Sequence, residues 1–115
     1  KALEAVHVFG NMADMPRLMA IARRYGLILI EDATEALGTQ CIDGPFKGKF
    51  AGTIGDIGCY SFNGNKIITT GAGGMVVSNH ADWAEHAKHL STQAKADLLQ
   101  FLHDEVGYNY RMTNV

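Results

Sequence analysis

Lys66 stands in a stretch of the sequence that carries no other charged residue between Asp56 and His80, and its neighbours Phe62 and Ile67 are apolar. An unprotonated lysine amine attacks a carbonyl carbon and forms a Schiff base, for which it needs a desolvated or electrostatically tuned site. A lone lysine is more often a solvated loop residue. The surrounding elements must therefore decide whether Lys66 can be a covalent catalyst.

A second chemically active group is the carboxylate pair Glu31 and Asp32, which follows the apolar run of residues 27–30 (LILI). Such a run is typical of a strand that is covered on both faces. The carboxyl ends of these strands form the edge at which open α/β sheets bind ligands, so Asp32 is a candidate binding residue. Alternatively, Asp32 is only the N-cap of a short segment over residues 33–37.

The residues before this strand predict a strand–helix–strand unit. Residues 5–9 (AVHVF) have the pattern of a short buried strand, in which His7 is interpreted as a core histidine rather than a ligand. A helix of about ten residues is expected to begin after Asp14 and to end at Gly26. Consecutive strands joined by a helix are parallel, with a right-handed crossover.

Residues 57–62 (IGCYSF) predict a third strand, after residues 38–56, which are expected to form turns or a small hairpin rather than core. Twelve residues separate this strand from residues 75–78 (MVVS), too few for a helical crossover, so the fourth strand is expected to be antiparallel. The sequence thus predicts an α/β fold of three layers, with a mostly parallel sheet and one antiparallel strand. Lys66 would lie at the same sheet edge as Asp32.

An amphipathic helix is predicted from residue 81 to about residue 101. His86 and His89 lie one turn apart on it and could in principle bind one metal ion. The sequence offers no third ligand at a typical spacing, so we do not predict a metal site. The segment of residues 107–115, which is rich in aromatic and polar residues, is interpreted as a functional or interface segment.

The composition is that of one ordinary globular domain or a piece of one, with 115 residues, 47% of them hydrophobic. A formal net charge of −2 and the lack of a basic cluster argue against nucleic-acid binding. The sequence has no apolar run long enough to cross a membrane. Cys41 and Cys59 have neither a disulfide nor a zinc pattern, which favours a reducing cytoplasm.

A lysine and a carboxylate at one sheet edge match what pyridoxal 5′-phosphate (PLP) requires of a protein. Lys66 would bind the aldehyde, and Asp32 would keep the pyridine nitrogen protonated. At about 4 Å and an effective dielectric constant near 20, the carboxylate and the pyridinium attract by roughly 4 kcal/mol. Ser61 and the glycine-rich turn of residues 71–74 offer phosphate donors. The segment fits neither a Walker loop nor GxGxxG.

Four motifs in this sequence resemble, in order and spacing, those of the fold type I, PLP-dependent sugar aminotransferases, which aminate nucleotide-linked keto-sugars. They are EDATEALG at 31–38, GDIGCYSFNGNK at 55–66, TTGAGGM at 69–75 and GYNYRM at 107–112. Such enzymes are much longer. The resemblance therefore implies that residues 1–115 are a central part of the PLP-binding large domain, without its N-terminal part and without the C-terminal small domain.

The resemblance also implies individual roles. Lys66 would form the Schiff base with the cofactor and then act as acid and base, Asp32 would pair with the pyridinium, and Ser61 would bind the phosphate. Glu35 would face the phenolic oxygen of the cofactor, and relatives that act on 4-keto-sugars often carry glutamate at this position. Asn109 would reach the phosphate of the partner subunit in a homodimer, although Arg111 offers an alternative.

The function expected from this resemblance is transfer of an amino group, from glutamate, to a nucleotide-linked keto-sugar. Alternatives on the same scaffold are another keto or cyclitol substrate, or a dehydration. Dehydrating relatives often replace the lysine with histidine, so Lys66 favours transamination. A different class of alternative is a non-catalytic module that binds a phosphorylated ligand. Residues 1–115 alone are expected to be inactive.

Overall fold

A four-stranded sheet in the order β1–β2–β3–β4 forms the centre of the computed structural model, which describes residues 1–97 and 99–114. The strands are β1 (Ala2–Val6), β2 (Ile28–Asp32), β3 (Ile57–Ser61) and β4 (Gly74–Ser78). The β1–β2 and β2–β3 pairs are parallel, and β4 pairs with β3 in the antiparallel direction. The predicted α/β class, with a mostly parallel sheet and one antiparallel strand, is confirmed.

The crossover between β1 and β2 is α1 (Met15–Tyr25), which has both predicted end signals. The Asp14 carboxylate accepts a hydrogen bond of 3.2 Å from the Arg17 N–H and caps the first turn. Gly26 ends the helix at φ 60°, a left-handed conformation that costs glycine little. Local sequence signals therefore suffice for this helix.

The first strand lies earlier than residues 5–9, where the sequence predicted it. β1 ends at Val6, and the chain then turns through Val8–Gly10, with Phe9 at φ 51° and 85% exposed. The apolar run is therefore not buried as a strand. The His7 N–H donates to the Asp32 carbonyl (3.0 Å), which ends the β1–β2 ladder at this point.

The second helix is shorter than predicted, because α2 covers Ala81–Ser91 only. Its end is set by a distant segment: the Tyr108 N–H donates to the Leu90 carbonyl (2.7 Å), and the Gln93 N–H donates to the Tyr108 carbonyl (3.0 Å). Gln93 and Ala94 then adopt positive φ angles of 70° and 48°. These tertiary hydrogen bonds pair backbone N–H and carbonyl groups that would be bonded within α2 if the helix were longer.

The residues after α2 form β5 (Lys95–Asp97) and β6 (Leu102–His103), an antiparallel pair in place of the predicted helix. Leu98, which that helix would have contained, lies outside the described residues. No helix within residues 1–97 and 99–114 is long and apolar enough to span a membrane.

The core lies where α1 packs on β1 and β2. Its buried members are Ala5, Met15, Ala22, Leu29 and Ile54. The turn-rich segment of residues 38–56 closes as a small hairpin, in which the Cys41 N–H donates to the Lys49 carbonyl (2.8 Å). However, Ala51 and Ile54 are buried, so the end of this segment belongs to the core, contrary to the prediction.

Candidate active site

The carboxyl ends of β2 and β3 lie side by side at one edge of the sheet. Asp32 is paired in register with Cys59, and Ser61 ends β3 two residues later. The Asp32 Oδ1 accepts a hydrogen bond of 3.1 Å from the Thr34 N–H, which fixes the half-buried carboxylate at the strand end. Asp32 thus caps the turn that follows, as its alternative interpretation predicted, and it also lies at the carboxyl edge of the parallel strands.

Cys59 is unsuited to act as a nucleophile at this edge. Burial raises the pKa of its thiol, and the negative charges of Asp32 and Glu4 raise it further. Because the thiolate is the reactive form, this environment disfavours reaction at Cys59.

Lys66 lies in a loop whose base is closed on the buried residue Phe62. The Phe62 carbonyl accepts from the Thr70 N–H (3.0 Å) and from the Thr69 hydroxyl (2.9 Å). The Phe62 N–H in turn donates to the Gly73 carbonyl (2.9 Å). Lys66 itself is half-buried. The loop thus starts directly beyond the strand that ends beside Asp32, and both of its ends are fixed.

Ser61 and the glycine-rich turn lie next to each other, because Ser61 pairs with Gly74 across β3 and β4. The Ser61 Oγ accepts a long bond of 3.4 Å from the Asn63 N–H. Gly73 has φ 93°, and a Cβ atom added there would lie 2.9 Å from the Met112 Cα. Only glycine fits at this position, where the segment that contains Met112 packs on the turn.

Glu35 also lies at this edge, and its carboxylate connects two loops. Its Oε2 accepts a hydrogen bond of 2.8 Å from the N–H of Phe9, in the connection after β1. The next residue, Gly10, is held by Thr39, whose hydroxyl donates to the Gly10 carbonyl (2.8 Å). The turn after β2 and the connection after β1 are thereby joined.

Asn109 lies elsewhere in the chain. It forms an isolated antiparallel bridge with Thr92 and lines, together with Arg111, a groove of about 830 Å³ between β3, β4 and α2. In the part of the chain that the structure describes, the residues lining this groove do not include Asp32 or Lys66. Cys59 and the turn residues Gly73 and Gly74, by contrast, line the groove together with Asn109.

Sequence inspection did not reveal how His7 and Glu31 interact. Both side chains are fully buried, and the His7 Nε2 lies 2.9 Å from the Glu31 Oε2. The Nδ1 of His7 accepts from the Ala13 N–H at 3.1 Å, so the ring proton belongs on Nε2 and is donated to Glu31. Both ring nitrogens of His7 thus have hydrogen-bond partners, and His7 is a core residue, as the sequence predicted.

Glu31 also binds the backbone of the segment that leads to β3. Its oxygens accept from the N–H groups of Gly52 (2.9 Å), Ile54 (2.6 Å) and Gly55. Burial raises the pKa of Glu31, but the bonds from His7 and from these backbone groups outweigh that effect and leave the pKa lowered.

The two adjacent carboxylates thus differ. Glu31 is buried and hydrogen-bonded within the protein, whereas Asp32 faces the opposite side of the strand. Side chains alternate between the two faces of a strand, so the sequence places Glu31 on the same face of β2 as the buried Leu29. This spacing is the signal that could have identified Glu31 as a buried residue.

The family of the chain follows from comparison with known proteins. The model of the DegT/DnrJ/EryC1/StrS aminotransferase family matches residues 1–115, and the chain belongs to this family, whose aminotransferases depend on PLP. The resemblance noted in the sequence is thereby confirmed.

Two curated relatives and one solved structure illustrate the similarity. GDP-perosamine synthase of Escherichia coli O157:H7 is 45% identical over 115 residues, which are 100% of this chain and 30% of that protein. UDP-N-acetyl-3-dehydro-α-D-glucosamine 3-aminotransferase of Acidithiobacillus ferrooxidans is 39% identical over 97% of this chain and 29% of its own length. An aminotransferase structure from Psychrobacter cryohalolentis aligns with a TM-score of 0.80 at 33% identity, over 97% of this chain and 30% of that one. The chain spans less than a third of each relative.

Proposed function

We propose that the full-length protein containing this chain is a PLP-dependent aminotransferase that transfers an amino group from glutamate to the C4 keto carbon of a nucleotide-linked sugar. The observation that carries the proposal is the sheet edge itself. Asp32 and Ser61 end adjacent parallel strands, and the loop with Lys66 begins immediately after Ser61. These residues supply the anion, the hydroxyl and the amine that PLP requires.

Each side chain has a proposed task. Lys66 would hold the cofactor through its amine and would serve as the acid and base at the substrate carbon. Asp32 would keep the pyridine nitrogen protonated, Ser61 would donate to the phosphate, and Glu35 would face the phenolic oxygen. When bound, the cofactor supplies an electron sink for the substrate carbon.

The proposed assembly is a cytoplasmic homodimer in which residues 1–115 belong to the PLP-binding large domain. Asn109 lines a groove that Asp32 and Lys66 do not line, and we assign it to the phosphate site of the partner subunit. Arg111, in the same groove, is the alternative for this contact.

The substrate class is supported by the names of the relatives, two of which refer to GDP-linked and UDP-linked sugars. The second of these names a 3-dehydro sugar, so the ring position needs a direct test. Glu35 favours C4 by its resemblance to enzymes that act on 4-keto-sugars.

The test is an assay of the full-length protein with PLP, glutamate and matched nucleotide-linked 3-keto and 4-keto sugars. We expect mass spectrometry to detect an amino sugar from the 4-keto substrate together with 2-oxoglutarate. Loss of water without gain of nitrogen would identify the dehydratase alternative. If no keto-sugar is aminated, the proposal is wrong.

Asp32→Asn should leave the cofactor bound but lower turnover, because a neutral amide no longer stabilises the protonated ring. Loss of roughly 4 kcal/mol of attraction corresponds to a decrease in kcat of up to about a thousandfold. Asp82→Asn, at an exposed position in the first turn of α2, is the matched control. Turnover unchanged by Asp32→Asn would contradict the pairing with the pyridinium.

A further inference from the structure

Two histidines of α2 and two carboxylates from the segment after β6 meet on the surface. The His89 Nε2 lies 2.7 Å from the Asp104 Oδ1 and 3.7 Å from the Glu105 Oε1. The other oxygen of Glu105, Oε2, lies 3.7 Å from the His86 Nε2. Glu105 thus bridges the two imidazoles, and the third and fourth ligands that the sequence alone did not offer come from a distant segment.

We propose that His86, His89, Asp104 and Glu105 form a binding site for a divalent transition-metal ion of the Zn²⁺ type. The ligand atoms of His89, Asp104 and Glu105 already lie within 4.8 Å of one another. In a tetrahedral Zn²⁺ site with bonds near 2.1 Å, ligand atoms are about 3.4 Å apart. The 3.7 Å separation between the His89 Nε2 and the Glu105 Oε1 is close to this distance, and the His86 Nε2 lies 3.7 Å from the other oxygen of Glu105. The 2.7 Å contact between His89 and Asp104 must lengthen by about 0.7 Å, which an exposed aspartate side chain permits.

The donor set also favours this class of ion. Imidazole nitrogens with carboxylate oxygens suit zinc, cobalt and nickel, whereas calcium and magnesium prefer oxygen ligands alone. The two carboxylates can balance the charge of a divalent cation, and all four side chains are accessible to solvent.

A bound ion would have a structural consequence for the neighbouring segment. It would link the last turns of α2 to the residues immediately before Gly107, whose successor Tyr108 already bonds to the Leu90 carbonyl (2.7 Å). The groove residues Asn109 and Arg111 follow directly. The inferred role is therefore to hold this segment against α2, and it does not depend on the proposed aminotransferase activity.

The experiment uses the full-length protein with its cofactor, freed of metal by a chelator and then titrated with Zn²⁺ against a chromophoric competitor. We expect about one equivalent per chain. His89→Ala and Glu105→Gln should each weaken Zn²⁺ binding at least about tenfold. His80→Ala is the matched control, because His80 caps the same helix and lies near Asp56 instead (3.7 Å).

Co²⁺ substitution provides a second measurement, since its visible d–d bands report ligands directly. We expect bands of tetrahedral type that disappear in His89→Ala and persist in His80→Ala. The proposal is overturned if wild-type protein retains no stoichiometric Zn²⁺, or if His80→Ala and His89→Ala weaken binding equally. Should His89→Ala fail to fold, Glu105→Gln at an exposed position decides, and unchanged affinity in that variant refutes the site.

Discussion

Replacing Lys66 by alanine in the full-length protein is expected to abolish transamination and the visible absorption of the lysine-bound cofactor together. The methyl group can neither attack the aldehyde of PLP nor carry the proton between carbon and cofactor. Loss of a positioned acid–base group alone costs up to about ten-thousandfold in rate, and the covalent function is lost in addition. Steady-state assays and absorption spectra of the same preparation provide both readouts.

Three further measurements make this prediction specific. Lys66→Arg keeps the positive charge but cannot form a Schiff base at neutral pH, so it should be as inactive as Lys66→Ala. Lys47→Ala, at an exposed lysine, should behave like the wild type. Borohydride reduction followed by peptide mapping should place the cofactor on Lys66. Two results together would instead support the non-catalytic phosphate-binding module. They are a wild-type protein without transaminase activity and a Lys66→Arg variant that still binds the phosphorylated ligand.

Glu31→Ala is expected to destabilise the fold more than any other single carboxylate replacement proposed for this chain. It removes the acceptor for His7 and for the N–H groups of Gly52, Ile54 and Gly55, all of which would be left inside the protein. Breaking a buried, hydrogen-bonded interaction of this kind costs about 3–5 kcal/mol. Chemical denaturation of the full-length protein should show a clearly lower midpoint.

Glu31→Gln separates the effect of charge from that of volume. The amide can accept at its oxygen, but its NH₂ group faces backbone donors, so a loss of about 1–3 kcal/mol is expected. Glu85→Gln, at an exposed position on α2, should change the free energy of unfolding by no more than about 0.5 kcal/mol. Equal midpoints for the two glutamine variants would show that the buried network does not stabilise the fold.

The pH dependence of stability provides an independent measurement of the same network. The pKa of Glu31 lies below its ordinary value of 4.5 in the folded chain. Its stabilising contribution is therefore complete above pH 4.5 and is lost as the pH falls through the lower, folded pKa. The wild type should lose stability in this acidic range, and Glu31→Gln should lose correspondingly less.

Much of the site was accessible from the sequence because its signals are local. The caps at Asp14 and Gly26 defined α1, and the short connection between β3 and β4 required an antiparallel return. Since parallel strands end at one edge, the positions of Asp32 and Ser61 followed from the strand order. The family motifs identified the same residues and added Glu35 and Asn109.

Only the tertiary structure determined the features that depend on residues far apart in the chain. α2 ends at Ser91 because Tyr108 binds the Leu90 carbonyl, and no local signal reports that contact. Glu31 is buried because His7 and three backbone N–H groups surround it, although the sequence placed it with Asp32 at the ligand-binding edge of the sheet. His89 meets Asp104 only because the chain reverses after α2. Hydrophobic periodicity and capping residues act over a few residues, whereas hydrogen-bond partners and ligand clusters depend on how distant segments pack.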